Sequence, residues 1–234
     1  MVNIGSFRNA VFFLCYLFFN PRLGVLALKG LYLPVYIQFE WLKNYNVATV
    51  IDVGASSGKV THVLHSIFPN AKIYSFEPIR SESDKIRRSE NVTVENVALS
   101  NKSGAATFYQ SHYSPTSSLL IPLQKIHTEK ITVQTITLDS YFKNIKLEEP
   151  VLLKIDTQGT EKLILKGGEN LLKRVSIIHI ETSFASLYKN QSLFKEVYEL
   201  LVKAGFEYSG SDNEAQIYPV FGPSQTTNSI FFKE

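Results

Sequence analysis

With 234 residues, 44% hydrophobic, 19% charged and a mean hydropathy near zero, the chain has the composition of one globular α/β domain with room for an N-terminal extension, which excludes disorder and collagen-like repeats. The net charge of +3 arises wholly in residues 1–50, where Arg8, Arg22, Lys29 and Lys43 face only Glu40; the rest is balanced, with Arg87-Arg88 an isolated basic pair, which argues for no nucleic-acid partner. No run of about 18 apolar residues exists to build a multi-span membrane protein, and the single cysteine, Cys15, excludes an internal disulfide framework and points to a reducing, cytoplasmic compartment.

Residues 1–47 read as an apolar and basic helical extension. Residues 10–19 (AVFFLCYLFF) are ten apolar residues in a row, ended by Asn20-Pro21-Arg22. That run is too short to span a bilayer, and no small-x-small cleavage site follows it. Two readings stand. The run is a helix buried on the domain or on a second copy of the chain, as in a homo-oligomer. Alternatively, residues 8–28 make peripheral contact with a membrane. Residues 31–47 read as a covering helix and a linker, with Pro34 starting or breaking the helix.

From residue 48 the chain alternates strand and helix. Residues 48–53 (ATVIDV) form a short apolar run, read as a buried strand. Val60, Val63, Leu64, Ile67 and Phe68 recur at helical spacing until Pro69. A second strand is expected over 71–76, a polar helix over 81–90 and a third strand over 92–98. Residues 104–110 and 131–138 are β-rich around a Ser/Pro/Thr loop at 114–118, an inserted hairpin-like excursion. A short helix is expected over 139–145 with Asp139 as N-cap, then a strand over 151–155 and a helix over 160–172. The next strand spans 176–180 and ends at Glu181. Ser192 is placed to cap a helix closed by Gly205, and 206–208 with 229–232 form a terminal strand pair. This alternation defines residues 48–234 as one domain with a mainly parallel sheet covered on both faces. Ligands bind such sheets at the carboxyl ends of the strands, beside the point where strand order reverses.

The polar residues at those ends carry the chemistry. Asp52-x-Gly54-x-x-x-Gly58 stands where a strand turns into a helix. Glycine there lets the backbone approach a ligand, and the helix start offers free N–H groups. Glu77 ends the next strand, where an acid can take both hydroxyls of a ribose. Loop and acid together point to a nucleoside-type cofactor. The dinucleotide fingerprint G-x-G-x-x-G fails, because Ser56 and Lys59 occupy its second and third glycine positions, and no G-x-x-x-x-G-K-[ST] loop is present.

Asp-x-Gly-x-x-x-Gly is instead the pattern of class I methyltransferases that use S-adenosyl-L-methionine. From about residue 48 to the C-terminus the chain resembles the FkbM family of methyltransferases. The resemblance is carried by VIDVGASSG (50–58), YSFEP (74–78), NVALSN (96–101), TSSLL (116–120), LLKIDTQGTEKLILKGG (152–168) and HIETS (179–183). Two positions depart from the family: Ser56 stands where Asn is usual, and Gln158 where Glu is common. The N-terminal segment lies outside the resemblance.

The resemblance implies a Rossmann-like class I methyltransferase fold, a mainly parallel seven-stranded sheet with helices on both faces. It implies that Asp52, Gly54, Ser56 and Gly58 line the methionine side of the cofactor, that Glu77 binds its ribose, and that Asn96 to Ala98 lie against the adenine. Ser118, beside Ser117, is a further contact candidate. For Asn96 and Ala98 the alternative is a plain strand end, and for the serines a turn. Asp156 ends the fourth parallel strand, where its carboxylate can orient an acceptor hydroxyl and accept its proton; the alternative is a helix cap. Glu181 is a second candidate for holding acceptor hydroxyls. Glu161 is a third, although an acid in a first helical turn is favoured by the helix dipole alone. His62 and His65 share a helix face with no Cys or carboxylate ligand pattern, His179 reads as packed within the sheet, and no metal is assigned.

The expected activity is O-methyl transfer to a small-molecule or glycan hydroxyl, most plausibly of a sugar. Two rivals are a nucleotide-dependent oxidoreductase, opposed by the broken glycine fingerprint, and a non-catalytic cofactor-binding scaffold recruited to a membrane or a partner.

Overall fold

The computed structural model describes residues 21–28, 30–112, 116–215 and 225–233. The apolar run 10–19, and with it most of the segment 8–28, lies outside the described residues. Helix α1 (Pro21–Leu28) and helix α2 (Leu33–Phe39) open the fold, and a 3₁₀ turn (Glu40–Asn44) follows. Pro34 starts α2, where its missing N–H costs no hydrogen bond. Then come β1 (Thr49–Val53), α3 (Lys59–Ile67), β2 (Lys72–Phe76), α4 (Arg80–Ser83), β3 (Val92–Glu95), β4 (Ala98–Leu99), β5 (Gly104–Ser111) and β6 (Thr128–Ile136). The chain continues through α5 (Leu138–Phe142), β7 (Val151–Ile155), α6 (Glu161–Lys166), β8 (Ile177–Ser183), α7 (Phe194–Lys203), β9 (Phe206–Ala215) and β10 (Thr226–Lys233).

The main sheet has seven strands in the order β3-β2-β1-β7-β8-β10-β9, with β10 antiparallel to both its neighbours. The expected Rossmann-like, mainly parallel sheet is therefore present. Strands β1 and β7 are buried at every position, as apolar parallel strands covered on both faces must be. On one face Ile51, Val53, Leu153 and Ile155 pack against Leu138, Phe142, Ile164, Leu165, Val197 and Leu201 of α5, α6 and α7. On the other, Val50, Leu152 and Ile177 meet Val63 and Leu64 of α3 and Leu33, Tyr36 and Phe39 of α2. The segment from Leu33 to Val47 is thus part of this second core. Strand order reverses between β1 and β7, and the crevice at their carboxyl ends is where the site forms.

Several local expectations are corrected by tertiary contacts. The strand expected over 92–98 breaks after Glu95. The Asn96 amide donates to the carbonyls of Glu77 and Pro78, both at 2.9 Å, and draws the chain out of the main sheet. Ala98 and Leu99 then pair with β6 in a separate three-stranded sheet, β4-β6-β5, which is what the hairpin-like excursion becomes. The helix expected over 81–90 is only the single turn of α4.

The helix expected over 160–172 stops at Lys166. A Cβ on Gly167 would stand 2.2 Å from the Ser100 carbonyl oxygen, and one on Gly168 would stand 2.8 Å from Leu138, so the chain here is pressed flat against its neighbours. Asp139 does not cap its own helix. Thr137 does, accepting from the Ser140 N–H at 3.0 Å, while Asp139 accepts from the N–H groups of Asn170 and Leu171. Ser192 is likewise not the cap of α7; the Leu193 N–H donates to Glu196 at 3.1 Å. His179 is packed in the sheet as expected, with Nε2 3.2 Å from the Asp212 carboxylate and its ring against Phe39.

Candidate active site

Strand β1 delivers the chain into a turn in which every second residue is left-handed: φ is +75° at Gly54, +47° at Ser56 and +82° at Gly58. Gly54 is required twice over. Its φ disfavours any L side chain, and a Cβ would stand 1.9 Å from the Asp156 carbonyl oxygen on the adjoining strand. The Gly54 and Ala55 N–H groups both donate to the Phe76 carbonyl. Ser56 turns its N–H to the Glu77 carboxylate at 2.9 Å, and the second Glu77 oxygen accepts from Ile79 N–H at 2.8 Å. Glu77 is only 6% exposed, and burial pushes its carboxyl up to about 7 despite these two donors.

These residues form one wall of an open cleft with about 130 Å³ of free volume. Phe76, Val97, Ala98, Leu99, Phe108 and Leu119 make an apolar slot on the far side, and Asp156, Thr157 and Gln158 close the end. A buried acceptor beside an apolar slot and a glycine cradle is the donor and acceptor set that an adenosine bearing a charged tail requires. The residues present therefore fit S-adenosyl-L-methionine.

Asp52 lies beneath the cleft rather than in its lining. Its two oxygens accept from Thr61 at 2.7 Å and pair with Lys154 at 3.2 Å, and both side chains are buried. Register explains the pairing, since Asp52 stands directly opposite Lys154 in the β1–β7 ladder. Lys154 in turn donates to the Gly54 carbonyl at 3.2 Å and stands 3.9 Å from Asp156. Burial opposes the Lys154 charge, but Asp52 and then Asp156 outweigh it and hold the ammonium above its ordinary range. The acid thus secures the turn from below.

Strand β7 ends in a second turn whose organising group is Glu161. One of its oxygens accepts from Thr157 N–H, Thr157 hydroxyl and Gly159 N–H at 3.0–3.1 Å, and burial raises its carboxyl. Asp156 projects from this turn with its side chain 41% exposed. Glu181 lies in the neighbouring strand β8, joined to Asp156 through the Gln158 amide. Burial, then the charges of Asp156 and Glu161, push the Glu181 carboxyl well above its usual range. A roof covers the turn. Ser118 pairs with Tyr109 through the backbone and donates its hydroxyl to the Gln158 carbonyl, and residues 121–123 are tied to 187–189 by backbone hydrogen bonds.

Of the residues singled out in the sequence, Gly54, Ser56, Glu77, Val97, Ala98, Ser117 and Asp156 line the cleft. Asp52, Gly58, Asn96, Ser118, Glu161 and Glu181 stand behind that lining: Gly58 packs on Ile86, Asn96 holds the Glu77-Pro78 carbonyls, and the others act as described. Sequence reasoning missed Lys154, Tyr188 and the apolar residues Phe108 and Leu119. Lys154 had a signal, a lone charge within the apolar strand VLLKI; Tyr188, whose hydroxyl donates to Gln158 Oε1 at 3.2 Å, stands five residues beyond HIETS and had none.

A parallel sheet reversing at β1 and β7, with a glycine cradle, an acid after β2 and a carboxylate after β7, defines a class I methyltransferase. The sequence profile of the Methyltransferase FkbM domain matches residues 52–208, and the chain belongs to this family of S-adenosyl-L-methionine-dependent methyltransferases. Among curated relatives, the 2-O-methyltransferase NoeI of Sinorhizobium fredii is 24% identical over 187 residues, 72% of this chain and 77% of that protein. The hexuronic acid methyltransferase AglP of Haloferax volcanii is 26% identical over 136 residues, 56% of this chain and 54% of that protein, about half its length. Two crystal structures share the fold. Methyltransferase FkbM from Methylobacillus flagellatus KT superposes with a TM-score of 0.51 at 14% identity, covering 80% of this chain and 44% of that one. Magnesium protoporphyrin IX methyltransferase of Synechocystis PCC 6803 with bound SAM gives 0.50 at 10% identity, covering 86% and 77%.

Proposed function

We propose that the protein is an O-methyltransferase whose acceptor is a hydroxyl of a sugar unit. The observation that carries this reading is Asp156: a half-exposed carboxylate at the end of β7, on the cleft lining, with Lys154 behind it and Gln158 beside it. Two relatives support the acceptor class, one named as a 2-O-methyltransferase and one as a hexuronic acid methyltransferase.

In this reading Glu77 takes the ribose hydroxyls, Ala98 with its apolar neighbours covers the adenine, and the Gly54–Ser56 backbone faces the methionine end. Asp52, Gly58, Asn96 and Ser118 hold those groups in place. Bound S-adenosyl-L-methionine supplies a methyl carbon on a sulfonium cation, with a neutral sulfide as leaving group. Asp156 orients the acceptor hydroxyl along the line of attack and takes its proton, while the roof keeps water from competing. Glu161 fixes the turn.

The test is transfer of labelled methyl from the cofactor to a panel of sugars and glycans, with linkage analysis of the product. Products methylated on oxygen are expected. Failure to bind S-adenosyl-L-methionine or S-adenosylhomocysteine at millimolar concentration overturns the reading, and binding without transfer to any acceptor leaves the scaffold.

A peripheral membrane role for residues 8–28 belongs to the same proposal. No helix among the described residues is long and apolar enough to cross a membrane. Helix α1 buries Leu23 but leaves Val25 53% and Leu28 90% exposed, next to the basic residues Arg22 and Lys29 of the sequence. Co-sedimentation with anionic vesicles, weakened by salt, is expected. Concentration-dependent dimerisation without vesicle binding would assign that face to a second copy instead.

A further inference from the structure

Tyr188 belongs to no motif of the sequence, yet it ties three segments together. The residue is buried. Its hydroxyl hydrogen is shared between the Thr116 carbonyl at 3.0 Å and Gln158 Oε1 at 3.2 Å, the first in the roof and the second in the turn after β7. Its backbone is fixed on both sides. Pro122 bridges to it, the preceding Leu187 carbonyl accepts from Leu123 N–H, and the following Lys189 N–H donates to the Ile121 carbonyl. Gln191 accepts from the Tyr188 N–H at 3.1 Å and donates to Ser183 at the end of β8 at 2.6 Å, so the loop that carries Tyr188 is anchored to the sheet. A phenol on such a backbone is a rigid donor.

Gln158 is the adaptable partner. Its backbone is held, with φ +58° and its carbonyl accepting the Ser118 hydroxyl at 2.7 Å, but a glutamine side chain turns about three bonds. Its Nε2 donates to Asp156 Oδ1 at 3.1 Å and to Glu181 Oε2 at 2.8 Å. Two N–H groups given to two carboxylates decide which end of the amide is which, because the reverse would set its oxygen against both acids. They leave the tilt of the amide plane free, and the Tyr188 bond to Oε1 at the opposite end fixes it. Asp156 needs such a hold. Its side chain is 41% exposed, and Lys154 Nζ stands 3.9 Å from Oδ2, beyond hydrogen-bond reach, so that charge attracts the carboxylate without orienting it.

We propose, resting on the methyl-transfer reading of this site, that Tyr188 is a positioning residue: acting through Gln158, its hydroxyl holds the amide that aims the Asp156 carboxylate at the acceptor hydroxyl. The role needs no contact between Tyr188 and cofactor or acceptor. The roof then sets the angle of the carboxylate beneath it as well as excluding water, and a small error in that angle is felt in the rate of an in-line displacement before it is felt in ligand affinity.

Carboxyl ¹³C NMR of the ligand-free full chain at one fixed pH reads the Asp156 side chain directly and needs no acceptor. A failed sugar screen and a failed positioning role are therefore distinguishable. The Asp156 resonance is identified by its loss in Asp156→Asn. It should move in Gln158→Met, which removes the donor, and move the same way by less in Tyr188→Phe, which removes only the hydroxyl. In the double variant it should stand where Gln158→Met alone puts it, because the phenol acts through the amide. With an active acceptor, Tyr188→Phe should lower kcat by about 5–10-fold, the equivalent of one hydrogen bond, and leave KM for S-adenosyl-L-methionine unchanged. An Asp156 resonance unmoved in folded Tyr188→Phe, a shift that persists undiminished in the Gln158→Met background, or a loss confined to KM overturns the proposal. If Tyr188→Phe does not fold, the Tyr188 Cζ resonance reads the same contact from its other end: it should move in Gln158→Met, and an unmoved resonance overturns the proposal.

Discussion

Two turns meet at the centre of this molecule, and they are built on opposite plans. The β1–α3 turn presents backbone: three left-handed residues, a glycine with no room for a Cβ, and N–H groups aimed at Phe76 and Glu77. The β7–α6 turn presents side chains: Glu161 gathers the turn's own donors, and Gln158 passes the order outward to Asp156, Glu181 and Tyr188. The first plan suits holding a ligand, since backbone groups are rigid and do not titrate. The second suits proton chemistry, since carboxyl groups can be tuned by burial and neighbours. The turns touch where Gly54 packs on the Asp156 carbonyl, so the ligand cradle and the carboxylate proposed as proton acceptor are held side by side.

The comparison breaks if damage to the second turn abolishes ligand binding. Asp156→Asn keeps shape but removes the carboxylate proposed as base, so single-turnover methyl transfer should slow by roughly 10²–10⁴-fold. Calorimetric affinity for S-adenosylhomocysteine should stay near that of the wild type. If turnover is unchanged, positioning alone suffices or Glu181 carries the proton.

Gly54→Ala probes the contact between the turns. The added carbon collides with strand backbone and is held at positive φ, so denaturant titration should show a loss of roughly 2–5 kcal/mol, from overpacking and left-handed strain together. A stable variant that merely binds cofactor poorly would mean the strands can part and the spacing is not enforced.

Glu77→Gln sharpens the contrast, since Glu77 is the titrating group of the otherwise backbone-built cradle. Affinity should fall by about 1.5–3 kcal/mol, the range for a charged hydrogen bond. The pH dependence has a definite sign. An ionised carboxylate is the better acceptor, so wild-type affinity should rise as pH passes about 7, and the variant should be flat. Ligand-free stability should run the other way: a carboxyl raised from 4.5 to about 7 favours the fold at low pH, and that contribution is lost as pH rises through about 7. Calorimetry at several pH values checks both.

The smallest effect is expected at Glu161→Gln. Burial already favours the neutral form, and the amide oxygen can still accept the turn's donors, so the stability cost should be about 1 kcal/mol or less with turnover nearly intact. A large loss of turnover with the fold unchanged would return Glu161 to the catalytic group.

What the residues alone determined was whatever depends on near neighbours in the chain. Short apolar runs bounded by turn residues and alternating with helical patterns read as covered parallel strands, so β1 and β7 were legible almost to the residue. Glycine and acid at strand ends located the cleft, and the order of motifs identified the family. What tertiary structure alone decided depends on partners far apart in the chain. Register set Asp52 opposite Lys154 and so beneath the cleft, although its place in the motif suggested the lining. Asn96 broke a well-patterned strand by reaching back to Glu77 and Pro78, and Asp139 capped backbone 31 and 32 residues away in place of its own helix. Gln158 became the hub of the site only because Ser118, 40 residues before it, and Tyr188, 30 after, converge on it. A buried polar group must find a partner wherever the fold provides one, and periodicity along the chain carries no record of which distant residue that will be.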